Sequence, residues 1–197
     1  LPGPVTTQTY IGGIAHRLPI VSVTTSPENL WDEQTGIYVM GPNASADNPY
    51  YGANFWQDWE KPGNVEIYNA NQQQVLNAGC GIKIHGAWTR AYEQKTLALY
   101  ARNAYGDKAF DARLFSDKPI DSFQSLVLRN GGNDFYSALM RDGVISCVTR
   151  GMNVDRLAFQ PAVNYLNGQY WGILNIREKI SEHYLADNHG FGTREVN

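Results

Sequence analysis

The dipeptide Asn167-Gly168, set between "AVNYL" and "QYWGILNI", is the feature that most limits how this chain can fold. Both residues tolerate the positive φ required at the centre of a type I′ turn, and that turn's twist matches the twist of two antiparallel strands. A two-residue turn also fixes strand register, and because side chains alternate, register decides which face every residue of the second strand meets. The strand pattern ends at Arg177-Glu178-Lys179. Beyond it Ile180, Tyr184 and Leu185 recur on one face, predicting a helix from Glu178 to Asn188 or Gly190 with Glu178 in its first turn.

The rest of the chain reads as strands that two helical stretches interrupt. "LPIVSVTT" (18–25) is a β-branched run, Ser26-Pro27 opens a short helical turn, and "GIYVMG" (36–41) has the look of a short strand. A polar loop through Pro49 follows, the likeliest place for mobility by composition. "NVEIYNA" (64–70), "GCGIKIHG" (79–86), "KTLALYARNAYG" (95–106) and "SLVLRNGG" (125–132) alternate as strands do, and a meander is their most economical arrangement. Asn133 or Asp134 can cap a helix over roughly 135–149, with Phe135, Leu139, Met140, Val144, Cys147 and Val148 as its apolar face. Gly143 inside it costs about 1 kcal/mol relative to Ala. The fold class is therefore α+β: a twisted, mostly antiparallel sheet with two main helices, preceded over residues 1–17 by a lead-in strand or linker from a preceding module.

Composition excludes several functions. Lys and Arg number 16 against 19 Asp and Glu, a net charge of −3 that offers neither a nucleic-acid footprint nor a polybasic membrane patch. No run of apolar residues is long enough to span a bilayer. Few charges, many aromatics and frequent Asn suit an extracellular or cell-surface bacterial protein. The start, Leu1-Pro2-Gly3-Pro4, lacks Met and the layout of a signal peptide, so a processed or excised piece is expected. Cys80 and Cys147 have no redox or zinc spacing; they allow a disulfide, but two buried free thiols are the favoured expectation. Phosphate-loop, nucleophile-turn and H-E-x-x-H motifs are absent, and the four histidines share no ligand spacing, which argues against a metal site.

Four sets of residues carry candidate chemistry. Lys95 falls in line with Leu97, Leu99 and Ala101, the apolar row, so it either snorkels from a strand end or points into a cleft toward phosphate or carboxylate. Glu178 either interacts with the free N–H groups and dipole of a helix start, or pairs with a lysine to fix it for phosphate contact. Arg129-Asn130-Gly131-Gly132-Asn133-Asp134 reads as strand end, turn and cap, with a backbone anion nest as the rival. The aromatics of "YYGANFWQDWE" (50–60) and Trp88 are core material, or in part a platform for stacking glycans.

Three ordered motifs, "GIKIHGAWTRAYEQKTLAL" (81–99), "LRNGGNDFYSALMRD" (128–142) and "NYLNGQYWGILNIREKI" (164–180), resemble the CotH family of spore-coat kinase-like proteins. Gly86, Thr89, Arg90, Lys95 and Thr96 fill the family's first motif, with Thr for Ser twice and Gln94 where a second Lys is common; Asn167, Gly168, Tyr170, Gly172 and Glu178 fill the third. The resemblance makes residues 18–197 the N-terminal part of a domain similar to an atypical protein kinase. It implies ATP and Mg2+ as cofactors, Lys95 as the phosphate-contacting lysine, Glu178 as its partner or a nucleotide-site residue, and Arg90 in support. Its aspartates for metal and phosphoryl transfer lie downstream of the match to Glu178, so this stretch is expected to be inactive alone and the complete form to phosphorylate protein Ser or Thr. The competing expectation is a non-catalytic surface module that binds polysaccharide or protein through exposed aromatics.

Overall fold

The computed structural model of the chain describes residues 7–12 and 16–195. Seven strands close into a barrel, each antiparallel to its neighbours except where the first meets the last but one along the chain. In chain order the barrel strands are β1 (Ile20–Thr24), β2 (Lys61–Tyr68), β3 (Gln74–His85), β4 (Thr96–Tyr100), β7 (Ser125–Arg129), β8 (Phe159–Leu166) and β9 (Gln169–Glu178). Around the barrel they run β1-β2-β3-β4-β7-β9-β8, and β8 returns to β1 in parallel; β5 (Phe110–Asp111) and β6 (Ser122–Phe123) form a separate small ribbon. The expected antiparallel α+β architecture is present. Closure goes beyond it, and it removes the free edges that an open sheet would leave.

The interior row follows strict alternation. Val21 and Val23, Val65 and Ile67, Ile82 and Ile84, Leu97 and Leu99, Leu126 and Leu128, and Leu174 and Ile176 all join one buried cluster. The hairpin behaves as its sequence demands, with Asn167 at φ 49° and Gly168 at φ 78° between β8 and β9. Its register places Ile176 opposite Gln160 and Leu128, so β9 is held on both sides.

Helices depart from expectation in instructive ways. Three are present: α1 (Pro27–Trp31), α2 (Arg141–Val148) and α3 (Glu182–His189). Glu178 does not open a helix; it ends β9, and α3 starts at the Ser181 cap, whose hydroxyl accepts from Tyr184 N, and stops at Gly190 with φ 73°. α2 is shorter than expected because Gly132–Asp134 forms a 3-10 turn first, and the Asp134 carboxylate accepts from Arg141 N at 3.0 Å. Its buried residues are Gly143 and Ser146, while Val144, Val148 and Cys147 face outward. The small side of the helix therefore meets the barrel. A Cβ on Gly143 would lie 2.3 Å from the Phe159 ring, so the glycine that weakens the helix is what permits its close approach.

Two further expectations are corrected, the strand at 36–41 and the burial of Cys147. Residues 36–41 form turns rather than a strand, since Ile37 and Tyr38 donate their N–H groups back to Asn29 and Leu30 beside α1. Of the lead-in, residues 1–6 and 13–15 lie outside the described residues; Thr7 to Gly12 is not a strand but crosses β2, where Thr9 N and Oγ1 donate to the buried Glu66 carboxylate. Both cysteines are free, but only Cys80 is buried.

Candidate functional site

Lys95 stands just before β4 and does point inward with Leu97 and Leu99, as its parity predicts. It is 4% exposed, and it does not snorkel. Its Nζ donates to the carbonyls of Arg90 (2.7 Å) and Tyr92 (2.9 Å), under the Phe55 ring at 4.0 Å, and burial pulls its pKa down to about 8. Arg90 is spent in the same way. Its Nε donates to Gly86 O at 2.6 Å, and Nη1 to the carbonyls of Phe55 and Trp56. Together the two cations lash the Gly86–Tyr92 loop to the segment at 55–56.

Glu178 is also buried, but its partner is Lys118. Glu178 Oε2 accepts from Lys118 Nζ (2.6 Å) and Ala158 N (2.7 Å), and Oε1 from Asn188 Nδ2 (2.9 Å). Lys118 Nζ also reaches Arg156 O and Asn188 Oδ1, so its three protons have three acceptors. Lys95 and Glu178 therefore do not converge on a shared hollow. Register gives the reason: Leu97 pairs with Leu128 and Leu128 with Ile176, which puts Lys95 level with Leu174, four residues or about 13 Å along β9 from Glu178.

A cation and a carboxylate do meet elsewhere, on the outer face of the same strands. β3 presents Lys83 and His85 there, β7 presents Val127 and Arg129, and β9 presents Arg177, with Lys179 one step past its end. Against this face α2 lays its first turn. Asp142 Oδ2 accepts from Arg129 Nε at 2.9 Å and from Arg177 Nη1 at 2.5 Å. Arg177 is further held by Ala158 O and Ser146 Oγ. Two hollows adjoin at Arg129 and Asp142. One, about 530 Å³, runs from the Gly86–Thr89 turn to Gly131–Asp134; the other, about 450 Å³, is bounded by His85, Val127, Leu157 and the run from Arg177 through Glu178 and Lys179 to Ile180.

Glycine shapes the first hollow. Gly86 has φ 113°, and Gly132, at φ 64°, lies so near Arg129 that a Cβ would sit 2.3 Å from its guanidinium nitrogen. The anticipated backbone nest is partly filled from within, because Asn130 Oδ1 accepts from Gly132 N at 3.0 Å and from Thr96 Oγ1 at 2.9 Å. The field of the cleft is positive. Burial, then Lys179, Arg90, Arg129 and Lys83, push the His85 pKa down, and Lys179 has no carboxylate within 4.0 Å among the described residues.

Of this cleft, Arg129 to Asp134, Gly86, Trp88, Thr89 and the run Arg177-Glu178-Lys179 are all marked in the sequence, but not as parts of one site. Arg177, Lys179 and His85 were legible in principle, since strand alternation places them on one face with Arg129. Asp142 was not, because an acidic residue in a helix's first turn is ordinary. For metal the fit is poor: among the described residues no group of three or more His, Cys, Asp or Glu could hold an ion, and Asp142 is committed to two arginines. Trp88 is 56% exposed beside the Gly86 turn, but Trp56 and Trp59 are half-buried against the core. No helix is long and apolar enough to cross a membrane among the described residues.

Residues 82–196, more than half of the chain, match the family described as CotH kinase protein. No curated protein matches the chain.

Proposed function

The chain belongs to the CotH kinase protein family, and from that premise we propose that the Arg129–Arg177 cleft is the nucleotide-phosphate site of a kinase-like lobe. The observation that carries this reading is the pair of arginines converging on one carboxylate where two hollows adjoin, one of them lined by a glycine turn. Protein kinases build their phosphate site from the same kinds of part: a glycine-rich loop, a strand cation and a carboxylate on a neighbouring helix. Here the loop is Gly86–Thr89 between β3 and β4, the cation is Arg129 on β7, and the carboxylate nearest it is Asp142 on α2, which occupies the cation in the free protein. Arginine suits the task, since its planar fork can grip two oxygens of one phosphate.

ATP fits the two adjoining hollows by charge and by size. Val127, Leu157 and Ile180 give an apolar wall on which a base can lie, and Arg129, Arg177 and Lys179 face its phosphates. Bound ATP would supply the transferable phosphoryl group, for which a protein Ser or Thr hydroxyl is the proposed acceptor. Among the described residues no group of three or more His, Cys, Asp or Glu could hold Mg2+ by itself. Lys95 and Arg90 serve the same site at one remove, by holding the carbonyls of the loop that covers it, and Glu178 by fixing the end of β9. An extracellular or cell-surface setting belongs to the same proposal and rests on composition.

Calorimetric titration of ATP, tripolyphosphate and adenosine into this chain tests the reading. ATP is expected to bind more tightly than tripolyphosphate, and adenosine most weakly. Absence of heat with both anions, or equal affinity for adenosine and ATP, would remove the phosphate site.

A further inference from the structure

The cleft is not empty of anions, because Asp142 already stands where a ligand oxygen would sit. Its Oδ2 takes a proton donor from each arginine, while Oδ1 accepts only from the adjacent Gly143 N. The carboxylate lies on the boundary of both hollows. It is also one of few anchors of α2. That helix buries only Gly143 and Ser146, has no side-chain cap at Met140, and leaves Val144, Ile145 and Val148 exposed, Val148 at 72%.

Resting on the phosphate-site reading, we propose that Asp142 is a displaceable plug: a phosphate group entering between Arg129 and Arg177 exchanges for its carboxylate and frees α2 from the barrel. Exchange of one anion for another leaves neither arginine unpaired, which keeps its cost low; simple loss of Asp142 contact would strand Arg177, a buried cation. The affinity seen for an outside ligand is then reduced by competition from the tethered carboxylate, as for any site whose competent state is only partly populated. The occupant is defined chemically as a phosphate or polyphosphate dianion, a stronger acceptor than a single carboxylate. The surface uncovered on α2 and the barrel is the means by which ligand state becomes visible to a partner.

Asp142→Asn keeps shape and removes the charge that competes. Titrated with ATP and with tripolyphosphate, it is expected to bind both about tenfold more tightly than wild type. Cys147, exposed on α2, supplies a second readout in the unmodified chain, since Cys80 is buried and its thiol is pushed up to about 12. A fluorescent maleimide on Cys147 should change emission as wild type is titrated with tripolyphosphate and change far less in Asp142→Asn. Weaker binding by Asp142→Asn than by wild type would overturn the plug and make Asp142 a positioning partner of Arg129, leaving the phosphate site intact. Tight binding with no change at Cys147 in wild type would also overturn it. Failure of both proteins to bind either anion would instead remove the underlying phosphate site.

Discussion

Two ion clusters sit near opposite ends of one dipeptide, Arg177-Glu178, and they are built to different standards. Glu178 faces inward and is closed: Lys118, Ala158 N and Asn188 satisfy it, and Lys118 has no donor left over. Arg177 faces outward and is itself buried under α2, but its cluster is open: it shares a single carboxylate oxygen with Arg129, and the Arg129 and Asp142 side chains are 39% and 32% exposed beside two hollows. A saturated buried pair holds a fold, whereas a pair with surplus cation and access to solvent can take a ligand. Alternation along β9 assigns adjacent residues to these two roles.

The contrast breaks first at Glu178. Glu178→Ala leaves Lys118 buried without a counter-ion and should cost about 3–5 kcal/mol, read by urea unfolding. A loss below about 1 kcal/mol would mean that the inner cluster is as loosely built as the outer one. Next in size is Arg177→Lys, which retains the charge and loses the fork; ATP affinity should fall about tenfold while the unfolding midpoint moves less than in Glu178→Ala. Equal affinity for the two proteins would show that Arg177 serves only α2.

Lys95 sharpens the comparison through pH. Its folded pKa of about 8 lies below the ordinary lysine value of about 10.4, so in that window the unfolded chain holds a proton that the folded one has released. Its contribution therefore makes stability rise with pH, by up to about 1.4 kcal/mol per unit between about pH 8 and 10.4. Cys80, whose thiol burial raises to about 12, works in the opposite sense above its ordinary value. Subtracting the pH profile of Lys95→Met from that of wild type isolates the lysine, and a flat difference would contradict its burial. The smallest effect expected is at His85, where phosphate in the cleft should raise the imidazole pKa, followed by its ring proton shifts; burial, then Lys179, Arg90, Arg129 and Lys83, hold it down in the free protein.

Much of this fold was legible because β-strands advertise themselves by alternation. The row Lys95, Leu97, Leu99, Ala101 and the turn at Asn167-Gly168 both predicted their own geometry. Closure of the barrel was not legible, since the parallel pairing of β1 with β8 joins residues about 140 positions apart with no local mark. α2 misled through its apolar residues, which look like a core face but lie outward because Gly143 and Ser146 let the helix approach Phe159. The site was misplaced for a related reason. Spacing shows which face a side chain takes but not how far along the barrel it lies, and Lys95 and Glu178 share the inner face at different levels.

The most direct test is to titrate ATP into Arg129→Ala and Lys95→Met side by side. If phosphates settle on the barrel's outer face, the arginine variant should lose at least about tenfold in affinity and the lysine variant less than about threefold. The reverse ranking would return the ligand to the barrel interior and contradict the outer cleft.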